Sequence, residues 1–177
     1  MKQSAQTTIH VSVEDQCLRV LRDGKLLHMF PVSTSRYGLG FKQGSRKTPL
    51  GRFRIAQKIG GDQPMGTVFK SRKPVRMSVN LPPDADLVVS RILWLDGLGL
   101  RNANSRARFI YLHGTNHEDA IGRPASHGCV RMRNADVVQL FDLVAVGTPV
   151  VIARGRWKTG PKSKGKKALR PWGYPPK

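Results

Sequence analysis

The segment from Tyr111 to Met132 holds the residues best suited to chemistry. It reads YLHGTNHEDAIGRPASHGCVRM and contains three histidines and one of the two cysteines of the chain. A cysteine attacks as a thiolate, and a nearby histidine can accept its proton. Acyl transfer also needs N–H donors for the developing oxyanion, which the amides around Gly128 and Cys129 would supply. The segment therefore supplies the parts of a thiol site, with His113 as a candidate base if the fold brings it to Cys129.

Spacing alone leaves other interpretations of these residues open. Cys129 can be a small buried hydrophobic residue, as many cysteines are, or it can pair with Cys17. The three histidines and the thiol carry donor atoms that zinc accepts, but their spacing matches no common zinc motif, so we expect no metal and no cofactor. His127 shares a face with the thiol in an extended backbone and is a second candidate base. His117 is expected to face solvent in a loop.

The elements that must position these residues are mainly strands. Ile9 to Val13 alternates with period two, and two further apolar runs flank Asp23-Gly24, which predicts a three-stranded meander with a hairpin turn. The run from Phe109 to Leu112 predicts a strand with His113 emerging at its end. Asn134 is a predicted N-cap for one helix. We predict a mainly β fold, a sandwich or barrel with one or two short helices.

Composition indicates one domain with a basic tail. The chain has 177 residues and a formal net charge of +20 at pH 7. Residues 1–154 form the predicted domain, and residues 155–177, with eight Lys or Arg and no acidic residue, form a tail expected to be disordered. Such a charge favours anionic partners: nucleic acid, an acidic membrane surface or an anionic wall polymer. We expect no membrane span and see no signal-peptide core in the sequence.

The residues around Cys129 resemble the L,D-transpeptidase catalytic domain family, the YkuD-type domain of bacterial cell-wall enzymes. The family motif is a histidine followed, after a loop, by Ser/Thr-His-Gly-Cys, an apolar residue and Arg or Asn. Here His113 precedes Ser126-His127-Gly128-Cys129-Val130-Arg131. Further resemblance lies in TPLGRF, in SRILWLDGL and in the helix and strand from Asp136 to Ile152, so it covers roughly residues 7–153.

The resemblance implies a peptidoglycan enzyme that works in the bacterial periplasm or cell wall. Such an enzyme attacks the bond after the L-centre of diaminopimelate in a tetrapeptide stem, releases D-Ala and holds the acyl group as a thioester. An amine of another stem then takes the acyl group, which gives a 3→3 cross-link, whereas water as acceptor makes the enzyme an L,D-carboxypeptidase. A non-catalytic basic module that binds anionic wall polymer or nucleic acid is the alternative of another class, and zinc hydrolysis is a third.

The resemblance also implies a role for each motif residue. Cys129 would be the nucleophile and His113 its proton acceptor and donor. A backbone carbonyl or hydroxyl of Gly114 or Thr115 would orient the histidine, and the amides of Gly128 and Cys129 would stabilise the oxyanion. The implied substrate contacts are Ser126, His127 and Arg131, the last of these holding a stem carboxylate or forming a structural ion pair.

Overall fold

The computed structural model describes residues 6–75 and 85–157. These residues form ten strands, one α-helix and two short 3₁₀ turns. The strands are β1 (Thr7–Ser12), β2 (Cys17–Arg22), β3 (Lys25–Pro31), β4 (Gly51–Ile59), β5 (Val68–Lys70), β6 (Lys73–Val75), β7 (Val88–Gly97), β8 (Tyr111–Gly114), β9 (Val130–Met132) and β10 (Pro149–Ala153); the helix is α1 (Asn134–Leu143). The mainly β prediction is confirmed.

The predicted meander forms as β1, β2 and β3, which pair antiparallel in sequence order. Its turn holds Asp23 at φ 51° and Gly24 at φ 75°. Positive φ at both central residues is the requirement of a type I′ hairpin, which Asp and Gly meet with little steric cost. On its other side β1 pairs parallel with β10, with Ile9 opposite Val150. The N-terminal meander is thus joined to the end of the domain.

The sheet continues from this join in the order β3-β2-β1-β10-β4-β7-β5-β6, and β8 pairs with both β7 and β9. Its core is made of side chains from one face, including Ile9, Leu18, Phe53, Leu93 and Leu112, all fully buried. Side chains one position away on each strand point to the opposite face. The sheet can therefore present polar side chains of β8 and β9 away from this core.

Helix α1 covers the sheet with Val137, Leu140 and Phe141, as its apolar spacing predicts. The prediction that Asn134 is the N-cap is wrong, because Asn134 is the first helical residue. Its backbone N–H instead donates to the Glu118 carboxylate at 2.7 Å. A carboxylate there satisfies an exposed amide and complements the helix dipole. This contact ties α1 to the loop between β8 and β9.

The first residues of the predicted tail pack on the domain. The Gly155 carbonyl accepts a hydrogen bond from the Ser12 hydroxyl at 3.0 Å, and the Trp157 N–H donates to Asp15 at 3.0 Å. Gly155 and Trp157, which the prediction assigns to the tail, thus contact the domain. The rest of the predicted tail, residues 158–177, lies outside the described residues. Within residues 6–75 and 85–157, no helix has the length and apolarity needed to cross a membrane.

Replacing Gly97 by alanine is expected to destabilise the fold. A Cβ at this position would overlap the backbone oxygen of Asn102, which lies in the turn after β7. Overpacking of this kind costs about 1–3 kcal/mol, and a clash with backbone lies at the upper end. Urea denaturation measures the loss. Gly99→Ala is the matched control, because its Cβ would approach only the Asn102 side chain, at 3.3 Å; equal losses for both variants would contradict this explanation.

Candidate active site

Strands β8 and β9 lie side by side in parallel and carry the predicted site residues. Leu112 pairs with Val130, and both are fully buried in the core. The next pair along is His113 opposite Arg131. Because side chains alternate between faces, His113 and Arg131 lie on the face turned away from this core. Cys129 lies just before β9 and packs against the cluster that contains Tyr111, whose side chain shares a face of β8 with that of His113.

The Cys129 thiol lies between two backbone groups at the start of β8. Its Sγ donates to the Phe109 carbonyl at 3.2 Å, and the Tyr111 N–H approaches Sγ at 3.4 Å. Phe109 has φ 57°, an uncommon conformation for a bulky side chain and one that costs about 1–3 kcal/mol. For this reason β8 begins at Tyr111 and not at the predicted Phe109. In this backbone conformation the Phe109 carbonyl is the hydrogen-bond acceptor of the Cys129 thiol.

His113 is buried within β8, with 3% of its surface exposed. Its Nδ1 lies 2.6 Å from the Gly114 carbonyl. A carbonyl only accepts hydrogen bonds, so Nδ1 carries the proton and Nε2 presents a lone pair. Gly114 is required at this point, because a Cβ there would lie 2.5 Å from the Val89 carbonyl oxygen. The ring is therefore held as the tautomer whose Nε2 can accept a proton.

The site favours the neutral forms of the Cys129 thiol and the His113 imidazole. Burial raises the pKa of the Cys129 thiol to about 11, which the Tyr111 N–H and two arginines only partly oppose. Burial also lowers the pKa of His113 below its ordinary value, although its bond to Gly114 acts in the other direction. The resting pair is consequently a thiol and a neutral imidazole. At neutral pH the thiolate is therefore a minor form of Cys129.

The loop before Cys129 is fixed by buried hydroxyl groups. Ser126 is 1% exposed, and its Oγ donates to the Cys129 carbonyl at 2.6 Å and accepts from the Gly128 N–H at 3.2 Å. Thr48 donates to the Gly128 carbonyl at 3.0 Å. Ser126, predicted to contact substrate, therefore has its hydroxyl occupied within the loop and positions the cysteine backbone. The Gly128 amide, a predicted oxyanion donor, is engaged in the same loop.

Arg131 belongs to a charged cluster that the sequence did not reveal. Its guanidinium contacts Asp86 at 2.5 Å, and the same carboxylate oxygen lies 3.0 Å from Nδ1 of His127. Arg36 donates to Nε2 of His127 at 2.7 Å. Since arginine only donates, His127 accepts at Nε2 and donates to Asp86 from Nδ1. Both ring nitrogens of His127 are thus engaged, and the cluster lines a cavity of about 290 Å³.

The third histidine of the segment, His117, and the second cysteine, Cys17, are not part of the thiol and imidazole pair. His117 is partly buried, and its Nε2 lies 3.1 Å from the Ala85 carbonyl, so the prediction of a solvent-facing ring is wrong. Among the described residues, no group of three or more His, Cys, Asp or Glu side chains is arranged to hold a metal ion. Cys17 and Cys129 are both free thiols. The thiol of Cys129 is therefore available for reaction.

Comparison with known proteins identifies the family of this chain. The family model of the L,D-transpeptidase catalytic domain matches residues 6–152. The chain belongs to the L,D-transpeptidase catalytic domain family. The putative L,D-transpeptidase YqjB of Bacillus subtilis is 42% identical over 55 residues, 31% of each chain. The probable L,D-transpeptidase YbiS of Escherichia coli K12 is 54% identical over 43 residues, 24% of this chain and 14% of the relative. The matched segments thus span less than a third of each curated relative.

Solved structures of L,D-transpeptidases share the fold. An L,D-transpeptidase from Mycobacterium smegmatis matches with a TM-score of 0.57 and 19% identity, over 85% of this chain and 59% of its own. L,D-transpeptidase 3 from Mycobacterium tuberculosis, in complex with a faropenem-derived adduct, matches with a TM-score of 0.56 and 19% identity, over 84% of this chain and 60% of its own. The predicted family fold is confirmed.

Proposed function

We propose that this chain is a peptidoglycan L,D-transpeptidase in which Cys129 is the nucleophile. The observation that carries the proposal is that the Cys129 thiol and the buried His113 side chain lie on the same face of the sheet at β8 and β9. The Nδ1 atom of His113 donates to the Gly114 carbonyl, so Nε2 presents the lone pair that can accept a proton. The substrate would be a tetrapeptide stem, cleaved between diaminopimelate and D-Ala. Such a substrate places the work of the enzyme in the periplasm or cell wall.

The first half-reaction begins with a proton transfer. Nε2 of His113 takes the thiol proton as Sγ attacks the carbonyl carbon of diaminopimelate, which forms the C–S bond. The resulting oxyanion needs N–H donors, and the Cys129 and Gly128 amides lie closest in sequence to the sulfur. The Gly128 amide can serve only if it exchanges its bond to Ser126. Collapse breaks the C–N bond, His113 protonates the leaving amine, and D-Ala departs.

The second half-reaction returns the enzyme to its resting state. An amine of a second stem attacks the thioester while Nε2 of His113 accepts its proton, and the C–S bond breaks as the thiolate recovers that proton. The product is a 3→3 cross-link. Water in place of the amine would give an L,D-carboxypeptidase. Arg131 is placed to meet a stem carboxylate only if that group displaces Asp86 from its 2.5 Å contact.

Incubation of the purified chain with tetrapeptide-stem muropeptides tests the proposed function. Mass spectrometry is expected to detect released D-Ala together with 3→3 dimers, and Cys129→Ala is expected to yield neither. Cys17→Ala is the matched control and should react as the unaltered chain does. Release of D-Ala without dimers would assign the carboxypeptidase reaction instead. Full activity in Cys129→Ala would refute the thiol mechanism.

Acylation of Cys129 is expected to persist at pH values below 6.5. Burial lowers the pKa of His113 from 6.5, so its Nε2 stays unprotonated in mildly acidic solution, and the rate should fall only as the pH passes the lowered pKa. The rate of adduct formation with faropenem, followed by intact mass between about pH 4 and 8, measures this profile. A rate that already halves near the ordinary histidine pKa, about 6.5, would contradict the assigned burial effect.

A basic surface is the observation that favours a second interaction. The described domain carries most of the excess positive charge, and an anionic wall polymer would be attracted to it. We propose that this contact accompanies catalysis. The net charge of +20 would attract the enzyme to the anionic wall polymer and so bring it to its polymeric substrate. Binding to isolated wall polymer should weaken steeply with added salt, and binding that is indifferent to salt would exclude an electrostatic contact.

A further inference from the structure

A second cavity lies on the face of β1, β2 and β10 that is turned away from the core. Leu18 and Val20 of β2 point into the core, so Arg19 between them points to the opposite face. There it lines a cavity of about 300 Å³ together with His10 and Trp157. None of these residues takes part in the thiol site, and Trp157 lies beyond residue 152, where the family match ends. The cavity goes beyond the proposed function.

The Arg19 guanidinium is a cation without an anionic partner in this cavity. Its Nε and Nη1 atoms are buried, and no acceptor among the described residues takes a hydrogen bond from either. The Trp157 ring covers the guanidinium, with Cζ 4.9 Å from the ring centroid. A cation–π contact offsets only part of the cost of burying a charge whose donors are unpaired. An anion bound in the cavity would supply the negative charge that the described residues do not.

The neighbouring side chains do not supply that negative charge. Burial raises the pKa of the Cys17 thiol more than Arg19 lowers it, so the thiol stays neutral. Asp15 accepts from the Trp157 N–H at 3.0 Å, and its other oxygen lies 4.0 Å from Arg156. Asp15 thus anchors the segment that covers the cavity. His10 meets the Trp157 ring edge-on at 5.3 Å, and burial lowers the pKa of its imidazole.

We propose that this cavity binds a small organic carboxylate, with its charged group on Arg19 and its apolar body against Trp157, Val151 and Ala153. The carboxylate would pair with the guanidinium through charge-assisted hydrogen bonds. The apolar part of the ligand matches the aliphatic side chains of β10 and the indole that line the cavity. Inorganic phosphate, which has no apolar body, fits this lining less well.

Titration of the full chain with benzoate tests the site. Benzamide is the uncharged ligand of the same shape. The readout is the indole N–H resonance of Trp157 in proton–nitrogen NMR spectra, assigned by its disappearance in Trp157→Phe. Benzoate is expected to shift it saturably, and benzamide to bind about tenfold more weakly or worse, since it lacks the charge. Arg19→Met should lose about tenfold or more in benzoate affinity, whereas Arg22→Met, at the exposed end of the same strand, should not.

Three results would overturn the proposal: no saturable shift with benzoate, equal affinities for benzoate and benzamide, or unchanged benzoate affinity in Arg19→Met. Tighter binding of phosphate than of benzoate would contradict the proposed contact between the apolar body of the ligand and Trp157, Val151 and Ala153. If Arg19→Met does not fold, the ratio of benzoate to benzamide affinity in the unaltered chain decides the question, because that comparison needs no variant.

Discussion

Replacing His113 by glutamine is expected to slow acylation of Cys129 by about 10²–10⁴-fold, the range that a positioned general base contributes. At a thiol pKa of about 11, roughly one molecule in 10⁴ carries a thiolate at pH 7. Without Nε2 of His113, attack must wait for that minor form. The measurement is the rate at which faropenem adds to the intact protein at pH 7.

Two comparisons show whether the loss reflects the base. His117→Gln changes the next histidine along the chain, which lies in the loop after β8 and contacts the Ala85 carbonyl, and it should react within a few-fold of the unaltered chain. The His113→Gln rate should rise about tenfold per pH unit toward the thiol pKa, because hydroxide then supplies the thiolate. An unaltered rate in His113→Gln, or a rate that does not respond to alkaline pH, would remove His113 from the proposed mechanism.

Removing Asp86 is expected to destabilise the domain more than removing its partner Arg131. Asp86→Ala leaves a buried guanidinium, 4% exposed, without its carboxylate, and such an uncompensated charge costs about 3 kcal/mol. Arg131→Met leaves a carboxylate that is 24% exposed and retains its contact with His127, so we expect a loss of about 1 kcal/mol. Urea denaturation at neutral pH measures both.

The matched control for this pair lies on the surface. Asp119 and Arg123 contact each other at 3.6 Å with side chains 77% and 68% exposed. Asp119→Ala should therefore cost about 0.5 kcal/mol or less. Equal losses of stability for Asp86→Ala and Asp119→Ala would mean that the Asp86 contact is not a buried pair. A larger loss for Arg131→Met than for Asp86→Ala would contradict the expected order of the two effects.

Local sequence patterns predicted the elements well because short-range rules dominate there. The alternation in β1 and the Asp23-Gly24 turn specify the hairpin directly, since period and turn type follow from neighbouring residues. The apolar spacing from Val137 onward likewise predicts α1. The N-cap was misassigned because its partner, Glu118, comes from a distant loop. Local propensity does not report such contacts.

The assembly of the site could not be predicted from spacing. The motif named His113 and Cys129, but only the parallel pairing of β8 and β9 across their connecting loop places them on one face. Asp86 follows a proline-rich stretch about 40 residues before the cysteine, and nothing local marks it as a partner of Arg131 and His127. The sequence also does not predict the positive φ of Phe109, because phenylalanine rarely adopts this conformation.

The central claim is that Cys129 is the nucleophile, and the most direct measurement is intact-protein mass spectrometry after exposure to faropenem, followed by peptide mapping. The relative in Mycobacterium tuberculosis is known with an adduct derived from this compound. We predict one adduct per chain, located on the peptide that contains Cys129, present in Cys17→Ala and absent in Cys129→Ala. An adduct that persists in Cys129→Ala, or an unaltered chain that forms none, would contradict the account.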